Sequence, residues 1–427
     1  MKLWKPAIAS AVLSALFVLT YGGINWLTAQ RSDVGMLFFE WERAIPFVPW
    51  LIVPYMSIDL FFVVAPFVCK SEEELKVFAR RVVFVVLVAG AVFLLFPLKF
   101  AFVRPAVSGA FGFLFNALTS FDQPFNLLPS QHITLRTILA ATYVRNARGV
   151  GKFIAHVWFS LIGISTVLVY QHHVLDVVGG FVVAGMALYL FSESPRRLAF
   201  VPNYRIGFYY LGGFAAVAAI LLSSATWAAI LLWPAMSLLI VAAGYFKFGP
   251  TIYRKRDGRI PLAARLVLGP VLIGQYLSLL FYKRQCRAYD EVSANVWIGR
   301  RLNDREAAAV RNGVTAVLDL TAEFSEAKAF RGVKYLNVPI LDLTAPPPEQ
   351  LGVMAEFIKQ ESRNGVVYVH CKAGYSRSAA AVAAYLIESG ACGSGADAFQ
   401  IVKAARPSVV IRPEIWRAFE GGRGLVF

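Results

Sequence analysis

A cysteine and an arginine separated by five residues, Cys371 and Arg377, are the pair of side chains with the clearest potential for chemistry. The apolar run at residues 365–369 is typical of a buried strand, and the small-residue run at residues 378–386 is typical of a helix. A loop between a strand and a helix directs backbone N–H groups and the positive helix end toward an anion. These dipoles lower the pKa of a cysteine, so the pattern predicts a thiolate that attacks phosphate esters.

The other residues of this loop suit the same chemistry. Arg377 has a planar fork that can hold two phosphate oxygens, which a lysine cannot do. Gly374 allows the backbone to turn its N–H groups inward, Ser378 can hydrogen-bond the departing sulfur, and His370 is expected to orient the loop. A buried, unreactive cysteine is the alternative, but it leaves the arginine in the same turn without a purpose. The predicted phosphate-binding residues are His370, Lys372, Ala373, Gly374, Tyr375 and Ser376.

The loop from His370 to Ser378, with its strand and helix flanks, resembles the signature of the cysteine-dependent dual-specificity phosphatases. The resemblance extends over residues 295–420 and is strongest to the phosphatidylglycerophosphate phosphatase type, although the His-Cys-Lys-Ala-Gly opening is also similar to phosphoinositide phosphatases. Tyr375 stands where the first type has an arginine, which removes a charge from the pocket. The resemblance implies an α/β domain that hydrolyses phosphomonoesters.

A leaving alkoxide needs a general acid, and the resemblance implies an aspartate some thirty residues before the cysteine. Asp342 occupies that place, in a segment that follows a predicted strand. Asp319 is the alternative, but it lies inside a predicted strand. Cys371 is then expected to form a phosphocysteine, with Asp342 as the proton donor.

A second set of candidate residues lies among the apolar stretches of the first 192 residues. Its motifs pair Lys with Arg, Ser with His and His with Asp, at Lys99 and Arg104, Ser130 and His132, and His172 and Asp176. Two histidines and an aspartate on one membrane face suggest a nucleophile, a proton donor and an orienting carboxylate. We expect phosphate binding from Lys99, Arg104 and Ser130.

These motifs resemble the type-2 phosphatidic acid phosphatase superfamily, which includes lipid phosphatases and sphingolipid headgroup transferases. The resemblance implies that His172 attacks phosphorus, His132 protonates the leaving group and Asp176 orients the nucleophile, whereas His173 lacks the required spacing. The first motif is two residues shorter than in the superfamily, and Thr166 stands where a phosphate-binding arginine is usual. A lipid phosphatase, a headgroup transferase and an inactive scaffold therefore all stay open.

The composition indicates several membrane spans. The chain has 427 residues, 58% of them hydrophobic, and a mean hydropathy of +0.59, which is too apolar for an ordinary soluble enzyme. The net charge of +16 is typical of cytoplasmic loops and contact with anionic lipid, and nucleic-acid binding is disfavoured because the basic residues are scattered. Four dispersed cysteines provide no disulfide framework or CxxC metal pair, and no cofactor or metal is expected. The candidate spans are residues 7–29, 47–68, 81–98, 133–145, 153–170, 175–191, 208–222, 225–245 and 262–282.

From about residue 286 the pattern becomes that of a soluble domain, in which strands alternate with helices and predict a mostly parallel sheet covered on both faces. The predicted strands are residues 295–299, 314–320, 334–340 and 365–369, and the predicted helices between them are residues 303–312 and 349–362. The predicted architecture is a multi-span α-helical membrane domain at 1–192, further membrane helices and a basic linker at 193–285, and an α/β cysteine-phosphatase domain with a mostly parallel sheet at 286–427.

The loop charges predict an orientation. Basic loops at 70–81, 145–152 and 192–206 are expected in the cytoplasm, which leaves 99–130 and 170–175 outside. If all nine candidate spans cross, the catalytic domain lies outside. The basic flanks of the last span and the need of a thiolate for a reducing compartment favour an interfacial helix instead, and a cytoplasmic catalytic domain at a bacterial inner membrane.

The leading hypothesis is a multi-pass membrane phosphatase with two fused sites that acts on phospholipid phosphomonoesters. Membrane anchoring favours a lipid substrate because it raises the local encounter rate. A protein-tyrosine or dual-specificity phosphatase acting on phosphoprotein in signalling is the second hypothesis. A membrane scaffold that senses lipid phosphates without turnover is the third.

Overall fold

The computed structural model describes residues 2–191, 198–221 and 230–420. Part of the basic loop predicted at 192–206, the last residue of the span predicted at 208–222 and part of the span predicted at 225–245 lie outside the described residues. The remaining predicted spans and the predicted catalytic domain, up to residue 420, can be compared with the structure directly.

Two compact units make up the chain. One comprises residues 1–193 and 218–233, and the other comprises residues 194–217 and 234–427. The domain boundaries drawn from the sequence stay predictions. The second unit contains the catalytic sheet together with most of the predicted linker.

The first unit is built from helices that pack around an apolar core, in which Phe78, Ile138, Phe159 and Ile162 are almost fully buried. Local sequence explains where they begin. Ser71, for example, accepts a hydrogen bond from the Glu74 N–H group (3.1 Å), and three glutamates follow in a first turn that favours negative charge. The helices are α1 (Trp4–Ala29), α2 (Ile52–Val68), α3 (Glu72–Leu95), α4 (Gly109–Phe121), α5 (Gln131–Asn146), α6 (Val150–Leu168) and α7 (Val174–Leu190).

Within the described residues, six helices are long and apolar enough to cross a membrane, which confirms the coarse prediction of a multi-span helical region. The spans predicted at 133–145 and 175–191 form α5 and α7, which are not among the six. The sequence did not predict α4, which lies inside the segment assigned to the outside. The six are Trp4–Ala29, Pro49–Val68, Glu72–Leu95, Val150–Leu168, Tyr204–Leu221 and Leu232–Tyr253.

Among the described residues, four helices lie between α7 and the sheet, and we call them the linker helices: α8 (Tyr204–Leu221), α9 (Leu232–Ala243), α10 (Leu262–Val267) and α11 (Gly269–Lys283). Irregular helical turns extend α9 to Tyr253. The rings of Tyr210 and Tyr245 stack with their centroids 5.5 Å apart, which joins the first turns of α8 to the end of α9. The last predicted span, 262–282, forms the two short helices α10 and α11, with Pro270 at the start of α11.

A five-stranded sheet with the order β1-β2-β5-β3-β4 forms the centre of the second unit. β5 pairs in parallel with β2 and β3, β4 pairs in parallel with β3, and β1 is antiparallel at one edge. The predicted mostly parallel sheet is thus confirmed, and β1 is the strand that the sequence analysis missed. The strands are β1 (Tyr289–Ser293), β2 (Val296–Arg300), β3 (Val314–Thr321), β4 (Lys334–Ile340) and β5 (Val366–Cys371).

Helices cover both faces of this sheet. α13 and α14 pack on one face, where Ala379–Ala384 have no solvent exposure and let the helix approach the strands closely. α12, with Leu302 and Phe330, covers the other face. The position of β5 at the centre places the loop that follows it at the carboxyl edge of the sheet, where ligands bind in open α/β folds. The helices of this domain are α12 (Asp304–Val310), α13 (Pro348–Glu361), α14 (Arg377–Glu388), α15 (Gly395–Ala405) and α16 (Pro413–Glu420).

Candidate active site

The loop between β5 and α14 has the backbone geometry that an anion site requires. Gly374 has φ = +72°, and a Cβ atom there would lie 2.6 Å from the carbonyl of Gly299, so only glycine fits. The buried guanidinium of Arg406 donates to the carbonyls of Gly374 (2.9 Å) and Ala373 (3.2 Å). Because Arg406 binds the carbonyls from one side, the loop N–H groups are free to point to the other.

Cys371 ends β5, and its side chain is buried at the mouth of this loop. Its Sγ atom lies 3.5 Å from Oγ of Ser378. Burial raises the pKa of the Cys371 thiol, but the charge of Arg377 and hydrogen bonds from Ser378 and the Tyr375 N–H group outweigh it and lower the pKa overall. The site therefore favours the thiolate.

Arg377 is buried beneath the loop and held in a fixed orientation. Its two terminal nitrogens donate to the carboxylate of Glu323 at 3.1 and 2.7 Å, and one of them also donates to the Ile340 carbonyl (2.8 Å). Burial lowers the pKa of Arg377, but Glu323 and Asp342 outweigh it and raise the pKa well above its ordinary value. The guanidinium is thus a permanent charge on a rigid support, as bidentate phosphate binding requires.

Asp342 lies just after β4, with its carboxylate between two cations of the site. One oxygen accepts from Arg377 (3.1 Å) and the other accepts from the Lys372 ammonium group. Burial raises the pKa of Asp342, but Arg377 and Lys372 outweigh it and lower the pKa to about 2. In this resting arrangement the carboxylate pairs with the two cations that a bound phosphate group would contact.

Asp319, the alternative acid, belongs to a buried network behind the loop. Its carboxylate accepts hydrogen bonds from Thr321 (2.7 Å), from Tyr335 (2.7 Å) and from the buried ammonium group of Lys255. Burial raises the pKa of Asp319, and Lys255 and His370 outweigh it and lower the pKa. Asp342 shares none of these partners, and its carboxylate contacts Arg377 instead.

His370 joins the same network rather than the phosphate pocket. Its Nε2 atom lies 2.7 Å from the Glu326 carboxylate and 3.9 Å from Asp319. Burial lowers the pKa of His370, but Glu326 and Asp319 outweigh it and raise the pKa. Asp319, Glu326 and His370 have ligand atoms close enough to hold a metal ion, but the Lys255 ammonium group already balances Asp319 there. This geometry agrees with an orienting role for the histidine.

Lys255→Met is expected to destabilise the second unit strongly, because it leaves the buried Asp319 carboxylate without its cation. Breaking a buried ion pair from one side costs about 3–5 kcal/mol, which corresponds to a loss in Tm on the order of 10 °C. The measurement is thermal unfolding of the full chain in detergent. Lys247 is exposed and provides a matched control, because Lys247→Met removes a charge without leaving a buried carboxylate unpaired. It should shift Tm little.

Adding Asp319→Asn to Lys255→Met should recover part of the lost stability, since a neutral amide is easier to bury unpaired than a carboxylate. Unfolding of Lys255→Met at the wild-type temperature would show that the ion pair contributes nothing. A double variant less stable than either single variant would show that the two side chains act through other contacts.

The side chains of Ser376 and Tyr375 point away from the cysteine. The Ser376 hydroxyl donates to the Val410 carbonyl (2.9 Å), and the Tyr375 ring packs edge-on against Tyr282 at 5.5 Å. Of the residues predicted to bind phosphate, these two and Ala373 can therefore contribute mainly through the backbone. Lys372 contributes its side chain, which contacts Asp342.

In the first unit, His132 and His172 line one cavity together with Tyr21, Asp59 and Asp122. Among the described residues, Nε2 of His132 and Nδ1 of His172 have no hydrogen-bond partner. His172 lies 3.6 Å from Asp176, an ion-pair distance longer than a hydrogen bond. The two histidines that the sequence singled out are thus brought together, beside carboxylates that it did not assign to the site.

The predicted phosphate-binding residues of this unit are placed differently. Arg104 donates to the carbonyls of Val169 (3.2 Å) and Tyr170 (3.3 Å), Ser130 caps α5 by accepting from Ile133, and Lys99 is exposed. None of the three lines the cavity that contains the histidines.

The neighbouring His173 is fully buried and does not line the cavity that contains His132 and His172. Its buried ring stacks on Phe100 with the centroids 4.4 Å apart, and its two nitrogens contact the Glu42 carboxylate (3.0 Å) and the Ala101 N–H group (3.2 Å).

Sequence reasoning did not identify Glu323, Glu326 or Arg406 as residues of the site. A signal existed for Glu323, because it follows β3 at the carboxyl edge of the sheet as Asp342 follows β4. No local signal could have paired Arg406 with the loop, since the two are more than thirty positions apart.

Comparisons with known proteins match both halves of the chain. The dual-specificity phosphatase catalytic-domain model matches residues 296–420, and the PAP2 superfamily model matches residues 78–199. Human dual specificity phosphatase 28 is 34% identical over 131 residues, which cover 29% of this chain and 72% of that protein. Human dual specificity protein phosphatase 14 is 33% identical over 134 residues, which cover 30% of this chain and 65% of that protein.

A third relative, the phosphatidylglycerophosphatase and protein-tyrosine phosphatase 1 of rat, is 40% identical over 84 residues, which cover 19% of this chain and 43% of that protein. The chain thus spans between about two fifths and three quarters of the length of these three relatives. The segment that matches the catalytic-domain model includes the β5–α14 loop, and it agrees with the resemblance drawn from the sequence. The chain therefore belongs to the dual-specificity phosphatase family and carries a PAP2-superfamily domain ahead of its catalytic domain.

Proposed function

We propose that the catalytic domain hydrolyses phosphomonoesters through a phosphocysteine intermediate. The observation that carries this proposal is the convergence of three side chains on one loop: a lowered-pKa thiol at Cys371, a fixed guanidinium at Arg377 and a carboxyl at Asp342. The thiolate attacks phosphorus, an S–P bond forms and the P–O bond to the leaving group breaks. Asp342 gives its proton to the departing oxygen.

Water then attacks the phosphocysteine to release phosphate. Asp342, now a carboxylate, takes the proton of that water, and the S–P bond breaks to return the thiolate. Ser378, 3.5 Å from the sulfur, stabilises the departing thiolate with a hydrogen bond. Arg377 holds the phosphoryl oxygens in both steps.

The substrate class we propose is a phospholipid phosphomonoester in the membrane to which the chain belongs. The segment that carries Asp342 contacts Asn203, which directly precedes α8, and Tyr245, which lies within the Leu232–Tyr253 helix. Both helices are apolar and long enough to span a bilayer, and a pocket held at the start of α8 lies at the depth of lipid headgroups. The catalytic domain is proposed to be cytoplasmic, at an inner membrane, since its thiolate needs a reducing compartment.

The test is phosphate release by the full chain in liposomes from phosphatidylglycerophosphate, lysophosphatidate and a phosphotyrosine peptide. Confinement of enzyme and substrate to one surface raises their effective concentration, so we expect kcat/KM for a lipid to exceed that for the peptide by about tenfold or more. Cys371→Ser sets the background for each substrate. Equal or higher turnover of the peptide would contradict the lipid proposal and leave the hydrolysis chemistry intact.

A phosphoprotein substrate is the second candidate, because the two human relatives are named as dual-specificity phosphatases and the rat relative is named for both a lipid and a phosphotyrosine activity. The peptide arm of the same experiment tests it. Binding of lipid phosphate without turnover would instead support the sensing scaffold.

The PAP2-superfamily domain is proposed as a second lipid-phosphate site, a phosphatase or a headgroup transferase. The shared cavity of His132 and His172 favours this reading over a purely structural domain. With His172 as the nucleophile, its activity is the part of lipid turnover that survives loss of Cys371.

A further inference from the structure

The segment of the catalytic domain that carries Asp342 and Leu343, which we call the acid loop, has a strained backbone. Leu343, the residue after the candidate acid Asp342, has φ = +61°, a left-handed conformation that is uncommon for residues other than glycine. The Leu343 N–H group donates to the Asp342 carboxylate at 3.1 Å, which ties the orientation of the carboxyl to this conformation. Such strained residues persist only where surrounding contacts fix them, and they cluster at functional sites.

Two of those contacts come from the linker helices. Asn203, just before α8, donates from its side-chain amide to the Leu343 carbonyl at 2.7 Å. Tyr245, at the end of α9, donates from its hydroxyl to the Asp342 carbonyl at 2.8 Å. The peptide groups on both sides of the strained residue are thus held by side chains outside residues 296–420, the segment that matches the family.

A third contact fixes the partner of the acid. Lys372, which contacts the Asp342 carboxylate, also donates to Gln275 of α11 at 3.0 Å. Gln275 in turn donates to the Tyr210 hydroxyl at 3.1 Å, and Tyr210 stacks on Tyr245. The linker contacts therefore form one connected set around the acid rather than scattered surface contacts.

We propose that Asn203 and Tyr245 are positioning residues of the general acid, which hold the Asp342 backbone so that its carboxyl meets the leaving group. The linker helices are then an integral part of the active site in this chain and more than a membrane tether. The proposal rests on the proposed hydrolysis of phosphomonoesters. With the backbone fixed, the carboxyl moves between its resting position on Arg377 and the leaving oxygen by rotation of its side chain alone.

This role predicts a dependence on the leaving group. An alkoxide needs a proton as it leaves, whereas p-nitrophenolate leaves readily without one. A misplaced acid therefore slows hydrolysis of an alkyl phosphate, such as lysophosphatidate, and spares p-nitrophenyl phosphate. A general loss of folding lowers both rates together.

The experiment compares kcat/KM of the full chain in detergent on these two substrates, in a His172→Ala background that removes the contribution of the proposed second lipid-phosphate site. Tyr245→Phe keeps the ring stacked on Tyr210 and removes the hydroxyl. Asn203→Asp keeps the oxygen that accepts from the Ile206 N–H group at the start of α8 and removes the amide donor. Each change should lower kcat/KM for lysophosphatidate by about 3- to 10-fold, the effect of one hydrogen bond, and change that for p-nitrophenyl phosphate less than about twofold.

Tyr209→Phe is the matched control, because it removes a hydroxyl from the exposed side of α8, where its partner is Arg205. It should leave both rates unchanged. In the Asp342→Asn background, Tyr245→Phe should have no further effect on lysophosphatidate, because no proton remains to be positioned.

The outcomes separate this inference from the proposed function. A wild-type chain that hydrolyses neither substrate would contradict the proposed function itself. An active wild type in which both variants lower the two rates equally, or leave both unchanged, would overturn the positioning role and leave the hydrolysis intact.

Discussion

Cys371→Ser is expected to lower kcat/KM for p-nitrophenyl phosphate by about 10⁴-fold or more. Arg377 and hydrogen bonds from the loop favour the thiolate of Cys371. The same contacts cannot convert a serine hydroxyl into a nucleophile at neutral pH. A serine at this position would need a base to remove its proton. Among the described residues, no histidine is placed to do this, since the ring of His370 is held by Glu326. The measurement is steady-state kinetics of the full chain in detergent.

The matched control for this variant is anion binding. Arg377 keeps its contacts with Glu323, and the loop keeps Gly374 and Arg406, so the serine variant should still bind inorganic phosphate. Binding to the folded state stabilises it, and phosphate should therefore raise Tm of the variant as it raises Tm of the wild type. A variant that loses this shift has lost the site and not only the nucleophile.

Residual lipid turnover in Cys371→Ser reports the activity of the PAP2-superfamily domain. If lysophosphatidate hydrolysis persists and then disappears on adding His172→Ala, the second site is active. Retention of p-nitrophenyl phosphate hydrolysis near the wild-type rate in Cys371→Ser would contradict the assignment of the nucleophile, because the histidine cavity is a separate site in the first unit.

The reactive loop could be predicted from sequence because its determinants are local. A buried strand, a cysteine, a glycine that tolerates positive φ and an arginine at a helix start are all contiguous, and their structure follows from neighbouring residues. The order of strands and helices followed from hydrophobic periodicity for the same reason. The edge strand β1 was missed because it is a short, half-buried strand without a clear apolar alternation.

The residues that the sequence did not reveal act over long separations in the chain. Glu323 reaches Arg377 across 54 positions, and Tyr245 reaches Asp342 across 97 positions. Nothing in the local pattern of Tyr245 distinguishes it from an ordinary core side chain, and the position of Glu323 after β3 indicates the edge of the sheet but not its partner Arg377. Only the folded arrangement of the sheet and the linker helices brings these residues to the loop.

Motif spacing predicted which histidines of the PAP2-superfamily domain come together, but not the charge around them. His132 and His172 share a cavity, yet Asp59 and Asp122 line it and Arg104 donates to backbone carbonyls instead. Motif residues are predicted one at a time, whereas the electrostatic character of a cavity depends on every side chain that faces it.

In a His172→Ala background, which removes the proposed second lipid-phosphate site, Asp342→Asn is expected to lower kcat/KM for lysophosphatidate by about 10²- to 10³-fold while changing that for p-nitrophenyl phosphate by only a few-fold, as loss of a general acid predicts. An asparagine keeps the shape of the side chain, and its one carbonyl oxygen can still accept from one of the two cations, Arg377 or Lys372, so the site should stay assembled. The alternative acid supplies the comparison. Asp319→Asn removes a carboxylate that pairs with Lys255, and it should lower stability and affect the two substrates alike. A leaving-group dependence in Asp319→Asn and not in Asp342→Asn would reverse the assignment.

The pH dependence of the wild type follows from the resting position of this carboxyl. Arg377 and Lys372 hold the pKa of Asp342 at about 2, so the free enzyme carries a carboxylate at neutral pH and lacks the proton that it must donate. A substrate monoanion brings that proton, and its phosphate displaces Asp342 from the two cations, which raises the pKa of the carboxyl in the complex. For an alkyl phosphate, kcat/KM should therefore fall as the pH rises above the second pKa of the phosphate, about 6. Asp342→Asn removes the group that receives this proton, so the fall should be weaker in the variant. A wild-type profile that stays flat from about pH 6 to about pH 8 would show that Asp342 does not obtain its proton in this way.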